Sequence, residues 1–358
     1  MALDKSKVAE GLKDIRTIYF GDKPSQDYML QVQFPAPYYP KSIVGIPEGD
    51  QVDSTGLDAL LIVIRRIISQ LSSEFRDAKD EAVRRSEQAN PLLRLAMADF
   101  VSTDKDILQA ARYYALKAFY GGSLKDNDLS FQALAEHKLM QETFWQRDDL
   151  LLFNPETPFE VKGVWELGRM ENILELAEHS LITFKTGNLS EQIAEQFGTF
   201  DADDIAYIKQ AKPPAILRVQ YDVSAADPKK FQDLRKIVVD MAHAERKPSG
   251  MWGLTEPGAA LMTYRLIAEV CLSSSPKVQD TIRTYQAEGE VTPIPDSFPH
   301  HQTEPLGKAN ARYMLYYCYG VTDIPGEHLY SEMPPPFDRV KANLLYGILD
   351  GTIAEPHS

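Results

Sequence analysis

Cysteine is scarce in this chain. Only Cys271 and Cys318 occur in 358 residues. Both sit among apolar residues, where a free thiol behaves as a small hydrophobe. A disulfide-built scaffold is excluded on that count, and a reducing, cytoplasmic setting is expected, or a virion if the chain is viral. Long apolar runs are missing too. The richest, 57–68, is broken by Arg65 and Arg66. It falls short of the roughly 20 apolar residues that a membrane span needs. The opening MALDKSKVAEGLKDI has no apolar stretch of the secretory kind, so no membrane partner is expected. Basic charge is in deficit: 38 Lys and Arg face 52 Asp and Glu, a net charge of -14. Such a body does not adsorb nucleic acid or anionic lipid indiscriminately. Recognisable local chemistry is also lacking. There is no nucleophile elbow, P-loop, dinucleotide-binding glycine pattern, H-E-x-x-H or C-x-x-C. No metal or cofactor is expected, and the balance leans away from an enzyme.

What is present is a succession of caps and three- and four-residue spacings. Leu57, Leu60, Leu61, Ile64, Ile67, Ile68, Leu71 and Phe75 mark one face of a long helix. Ser54 or Thr55 caps its start, and Asn90-Pro91 ends it. Thr103 with Asp106 opens another helix, closed by Gly121-Gly122. Thr157-Pro158-Phe159-Glu160 has the letters of a helix start, with Trp165, Ile173, Leu174, Ala177 and Leu181 inward. Further helices are expected from Ser190, from Asp227-Pro228, from Thr255 with Pro257, from Ser275-Pro276, over 306–319 and over 337–349. The stretch 215–223 alternates and allows a short strand.

The first fifty residues look different. Ile18 and Phe20, then Tyr28, Leu30, Val32 and Phe34, alternate with other residues around Gly21-Asp22-Lys23-Pro24-Ser25. Period two around a turn predicts a β-hairpin, followed by a proline-rich connector. The chain therefore reads as mainly α: two helical lobes with an N-terminal β-hairpin arm. The arm and connector cover 1–50 and the first lobe covers 51–212. The second lobe, with long proline-rich loops, covers 213–358.

Three weak constellations could carry chemistry. Asp240, His243 and Glu245 place two ligand types on one predicted helix face, yet such a spacing is common on exposed helix ends. His300-His301 with Glu304 lies in a proline-rich loop and suits solvent better than a metal. Asp148-Asp149, and Asn127-Asp128-Leu129-Ser130 with Glu136, resemble the magnesium-binding motifs of terpene cyclases. The offsets and order differ, and hydrated magnesium needs fixed carboxylate spacing, so this resemblance is set aside.

Basic residues interleaved with tyrosines are the stronger signal. Arg65, Arg66, Arg112, Lys117, Lys308, Arg312 and Tyr316 are the candidate nucleic-acid-binding set. Cations that grip phosphates beside rings that stack bases hold single strands without sequence preference. The arm, the two lobes and the proline connectors are similar in layout to viral nucleoproteins and helical coat proteins. That resemblance implies a non-enzymatic, self-assembling structural protein, a homo-oligomer covering single-stranded RNA. The alternatives are an all-α enzyme with a site assembled from distant residues and the His300-His301 loop as its lid, or a helical adaptor for a partner protein.

Overall fold

A computed structural model describes residues 4–43, 46–169, 172–202, 205–273, 279–286, 290–293, 298–320 and 332. The N-terminal half is helical: α1 (Lys5–Gly11), α2 (Ile15–Ile18), α3 (Lys23–Val32), α4 (Thr55–Gln70), α5 (Glu81–Ala89), α6 (Pro91–Ala96), α7 (Lys105–Tyr120), α8 (Phe131–Ala135) and α9 (Lys138–Met140). Among the described residues of 1–50 there is no strand, so the expected hairpin arm is replaced by α1 to α3. Asp22 accepts from the Ser25 amide and Pro24 stands in the first turn, so the expected turn is the N-cap of α3. Met29 and Leu30, adjacent in sequence, are the residues α3 buries, and the helix packs on α4. Short alternation around a helical cap was the false signal.

The C-terminal half departs further from the mainly α expectation. Its strands are β1 (Glu156–Val161), β2 (Val164–Arg169), β3 (Leu181–Phe184), β4 (Gly198–Ala202), β5 (Ile205–Lys209), β6 (Ile216–Asp222), β7 (Lys236–Asp240), β8 (Ala244–Arg246), β9 (Trp252–Leu254), β10 (Leu261–Leu272), β11 (Thr281–Thr284) and β12 (Arg312–Tyr319). Between them lie α10 (Ile173–His179), α11 (Leu189–Ala194) and α12 (Phe231–Leu234). One sheet runs β11-β10-β12-β6-β3, with β7 also on β10. Another runs β2-β1-β5-β4, and β8 with β9 forms a hairpin. The fold is mixed α/β.

The helices expected over 255–270 and 306–319 are the central strands β10 and β12. Their neighbours on each side and their covered faces bury Tyr313 to Tyr317 without a break. A strand buried on both faces loses its alternation, and its apolar residues can fall at helical spacing by chance. The Thr157-Pro158 start is β1 rather than a helix, and the single helix expected from it is broken into β1, β2, α10 and β3, while α11 and the strand allowed at 215–223 fall close to where the sequence placed them. The Ser275-Pro276 start and the 337–349 helix lie outside the described residues.

A continuous apolar core extends from Val8 to Tyr317. At its centre is α4, shorter than expected because it ends at Gln70. Every residue from Gly56 to Ser69 is buried. A helix apolar on all sides belongs inside, and its two arginines go with it. Arg65 donates to the carbonyls of Ala96 and Ala98, each at 2.8 Å, and of Met29 at 2.8 Å. Its guanidinium also lies 4.3 Å from the Phe100 ring centroid. Burial disfavours its charge and Asp99 opposes that. Arg65 is therefore a strut joining α3, α4 and α6. Arg65→Lys should destabilise the protein by about 2 kcal/mol, because an ammonium cannot reproduce the fork that meets three carbonyls. Urea denaturation measures it; an unchanged midpoint would show that the fork is dispensable.

Candidate functional site

A cleft of about 910 Å³ opens at the N-terminus of α4. It is built by close backbone approaches. Ser54 caps α4, accepting from the Leu57 amide at 3.2 Å, and its hydroxyl donates to the Leu129 carbonyl. Gly56 allows that approach: a Cβ there would lie 2.3 Å from the Phe131 nitrogen and 2.4 Å from the Leu129 oxygen. Across the cleft stand the end of β10, Leu272 and Ser273, and the start of β12, Arg312.

Asp280 joins the two sides. It is buried, and its carboxylate accepts from the Phe131 amide at 2.7 Å and the Ser273 amide at 2.8 Å. One carboxylate thus ties the start of α8 to the end of β10. Gln132 extends the seam, meeting Arg312 at 3.4 Å and Gln220 at 3.4 Å.

The lining is acidic. Asp53, Asp126, Asp128, Glu136 and Asp280 outnumber Lys125 and Arg312. All of these except Asp280 are exposed. Hydroxyls are supplied by Thr55, Ser130 and Ser273. Ser130 is committed to capping α8, where it accepts from the Ala133 amide. Among the described lining residues there is no thiol and no imidazole. Cys271 and Cys318 lie elsewhere, and burial pushes both thiols up, Cys318 to about 11.

The candidate nucleic-acid residues are not brought together. Arg65 and Arg66 are 0% and 1% exposed, and Arg112 is 2% exposed and paired with Asp58 at 3.1 Å. Tyr316 is fully enclosed, stacked on Trp145 at 6.2 Å. Side chains so enclosed cannot reach a phosphate or a base. Lys117 pairs with Asp50 at 3.1 Å. Lys308 is exposed beside Glu304, on a turn rather than on a helix face shared with Arg312. Of the seven, Arg312 lines the cleft.

The other constellations dissolve for similar reasons. Asp240 ends β7 and Glu245 lies in β8, so no helix aligns Asp240 with His243. His300 is buried against Phe298, and its carbonyl accepts from the Ile282 amide, which fixes the segment once read as a lid. The residues missed by sequence reasoning are Asp53, Asp126, Gln132 and Asp280. Asp128 and Glu136 were visible only as letters of an unrelated motif. Nothing in the chain marks that 53, 126–136, 280 and 312 share one cleft.

Among the described residues no helix is long and apolar enough to cross a membrane. The sequence matches no protein-family model and no curated protein. Several solved structures share part of the arrangement. The SAGA Ubp8/Sgf11/Sus1/Sgf73 DUB module bound to ubiquitin aldehyde is 10% identical, with a TM-score of 0.35 over 86% of this chain and 75% of that one. The Saccharomyces cerevisiae PAN2 pseudoubiquitin-hydrolase is 9% identical, with a TM-score of 0.38 over 84% and 90%. Its pseudoubiquitin-hydrolase-RNase module is 11% identical, with a TM-score of 0.37 over 91% and 63%. At these identities and scores the likeness assigns no activity. The mixed α/β fold and the burial of Arg65, Arg66 and Arg112 overturn the helical coat or nucleoprotein reading.

Proposed function

We propose that this protein binds an extended, basic segment of a partner polypeptide in the acidic cleft beside α4. The carrying observation is the excess of carboxylates, five against two cations, around a groove whose walls are fixed by backbone contacts. Its volume lies within the range of about 300–1,000 Å³ typical of ligand sites. Exposed carboxylates spaced along a groove steer and register a cationic chain more than they add raw affinity. Hydrolysis is the poorer reading of this cleft. A serine or threonine hydroxyl is a weak nucleophile without an adjacent base, and the described lining supplies no imidazole.

The test uses fluorescein-labelled octapeptides of alternating arginine and glycine, and of alternating glutamate and glycine. Anisotropy should rise with the arginine peptide alone and weaken as salt is added. Combining Asp126→Asn, Asp128→Asn and Glu136→Gln should weaken binding about tenfold, since exposed ion pairs are each worth about 0.2–1 kcal/mol. These substitutions keep the oxygens that accept from Ser130 and Gln132, so the melting temperature should hold. Equal binding of both peptides, or of neither, would overturn the proposal.

A further inference from the structure

A second cavity, of about 570 Å³, shares no lining residue with the acidic cleft. It opens between α10 and one face of the β2-β1-β5-β4 sheet. The register defines that face. Thr157, Phe159 and Val161 of β1 stand opposite Gly168, Glu166 and Val164 of β2. Tyr207 of β5 stands opposite both Phe159 and Phe200, and Ile205 and Lys209 follow it at every second residue. Gly168 is required here, because a Cβ would lie 2.4 Å from the Phe159 ring. Its absence lets the ring lie across β2 as a wall of the cavity.

The charge is the reverse of the protein's. Arg169 and Lys209 line the cavity against one carboxylate, Glu175, which already meets the Asn172 amide. Lys209 is half-buried, and its ammonium sits 4.0 Å from the centroid of the Phe153 ring. Among the described residues no carboxylate acts on it, and burial pushes its pKa down. A half-buried cation over an aromatic ring, next to Phe159 and Tyr207, can take an anion as its further partner. The apolar surface continues past the mouth. Val161, Val164, Ile205 and Phe200, on the same face, are exposed, Val164 to 59%.

We infer that this cavity binds an apolar group joined to a carboxylate, with the ring or branched chain against Phe159 and Tyr207 and the carboxylate on Lys209. That chemistry is carried both by a small aromatic acid and by the C-terminal residue of a polypeptide. The site is independent of the acidic cleft, so either can fail without the other.

Nuclear magnetic resonance titration of the full chain decides it, with four probes: phenylacetate, phenylacetamide, a tripeptide ending in phenylalanine, and the same tripeptide amidated. Shifts should fall on residues of the cavity, and the free acids should bind about tenfold tighter than their amides, the scale of one charge-assisted contact. The Lys209 ammonium should titrate higher when the acid is bound. Lys209→Met should lose that preference, and Lys209→Arg should restore most of it, which separates lost charge from lost fold. Tighter binding of the tripeptide than of phenylacetate assigns a polypeptide terminus; the converse assigns a small acid. Equal binding of acids and amides, an undiminished preference in Lys209→Met, or no binding by any probe would overturn the inference.

Discussion

Replacing Arg112 by alanine should destabilise the protein by about 3–5 kcal/mol, because it leaves a buried carboxylate without its partner. Asp58, on α4, is 1% exposed and lies 3.1 Å from the Arg112 Nε. The same guanidinium donates to the Ala36 carbonyl, so it also holds the proline-rich segment against α7. His300 adds a third side, with its Nε2 3.8 Å from Asp58. Burial raises the Asp58 pKa from 3.8 to about 6, and Arg112 works against that rise. The sign follows from the direction. A carboxyl whose folded value exceeds its unfolded value contributes stability that is complete at low pH and lost as pH rises through the folded value. In the wild type this loss spans about pH 4 to 6 and then levels off. Without Arg112 the folded value climbs higher, so the variant continues to lose stability above pH 6. The deficit should therefore be smaller at pH 5 than at pH 8 when both proteins are unfolded in urea. A deficit that stays constant across that range would mean that Arg112 acts through packing and Ala36, not through the Asp58 charge.

Gly56→Ala should cost about 3 kcal/mol, the upper end of the usual range for overpacking. The added carbon meets backbone, the Phe131 nitrogen and the Leu129 oxygen, rather than the movable end of a side chain. Relief requires the 129–131 segment to withdraw from α4. That would stretch the Phe131 amide away from Asp280 and widen the acidic cleft. Two readouts should move together: the thermal midpoint should fall by several degrees, and the arginine peptide should bind more weakly. A folded Gly56→Ala protein with wild-type peptide affinity would place the ligand elsewhere than beside α4. Thr55→Ser, one residue earlier and without added volume, should leave both readouts unchanged.

The division between what was legible and what was not follows from locality. Composition excluded a disulfide scaffold, and no described helix spans a membrane. Capping side chains are read within a few residues of the amides they satisfy, so the start of α4, and nearly that of α11, were within reach of the sequence. The start of α3 is equally local, yet Asp22 and Pro24 have the letters of a turn and a brief alternation surrounds them. Arg65, Arg66 and Arg112 looked like surface cations because charged residues are seldom buried unless paired. The carbonyl and carboxylate partners of Arg65 and Arg112 come from α3, α6, α4 and the Ala36 segment. No window of sequence contains both halves of those contacts.

Sheet membership is the same problem on a larger scale. β10 takes β7 and β11 along one edge and β12 along the other, and β12 takes β6 on its far side. That pairing makes β10 and β12 central, elements such as α4 pack on the sheet, and burial on both faces erases the alternation that would have announced them. The sequence by itself determined the chain's acidic balance, its scarcity of thiols and the cap-marked start of α4, and it allowed the strand at 215–223. Tertiary structure alone decided that the C-terminal half is sheet and that the arginines are struts. It also decided that carboxylates at 53, 126, 128, 136 and 280 line one groove, because a cleft is made where distant segments meet, and its charge is a sum over neighbours that are not neighbours in the chain.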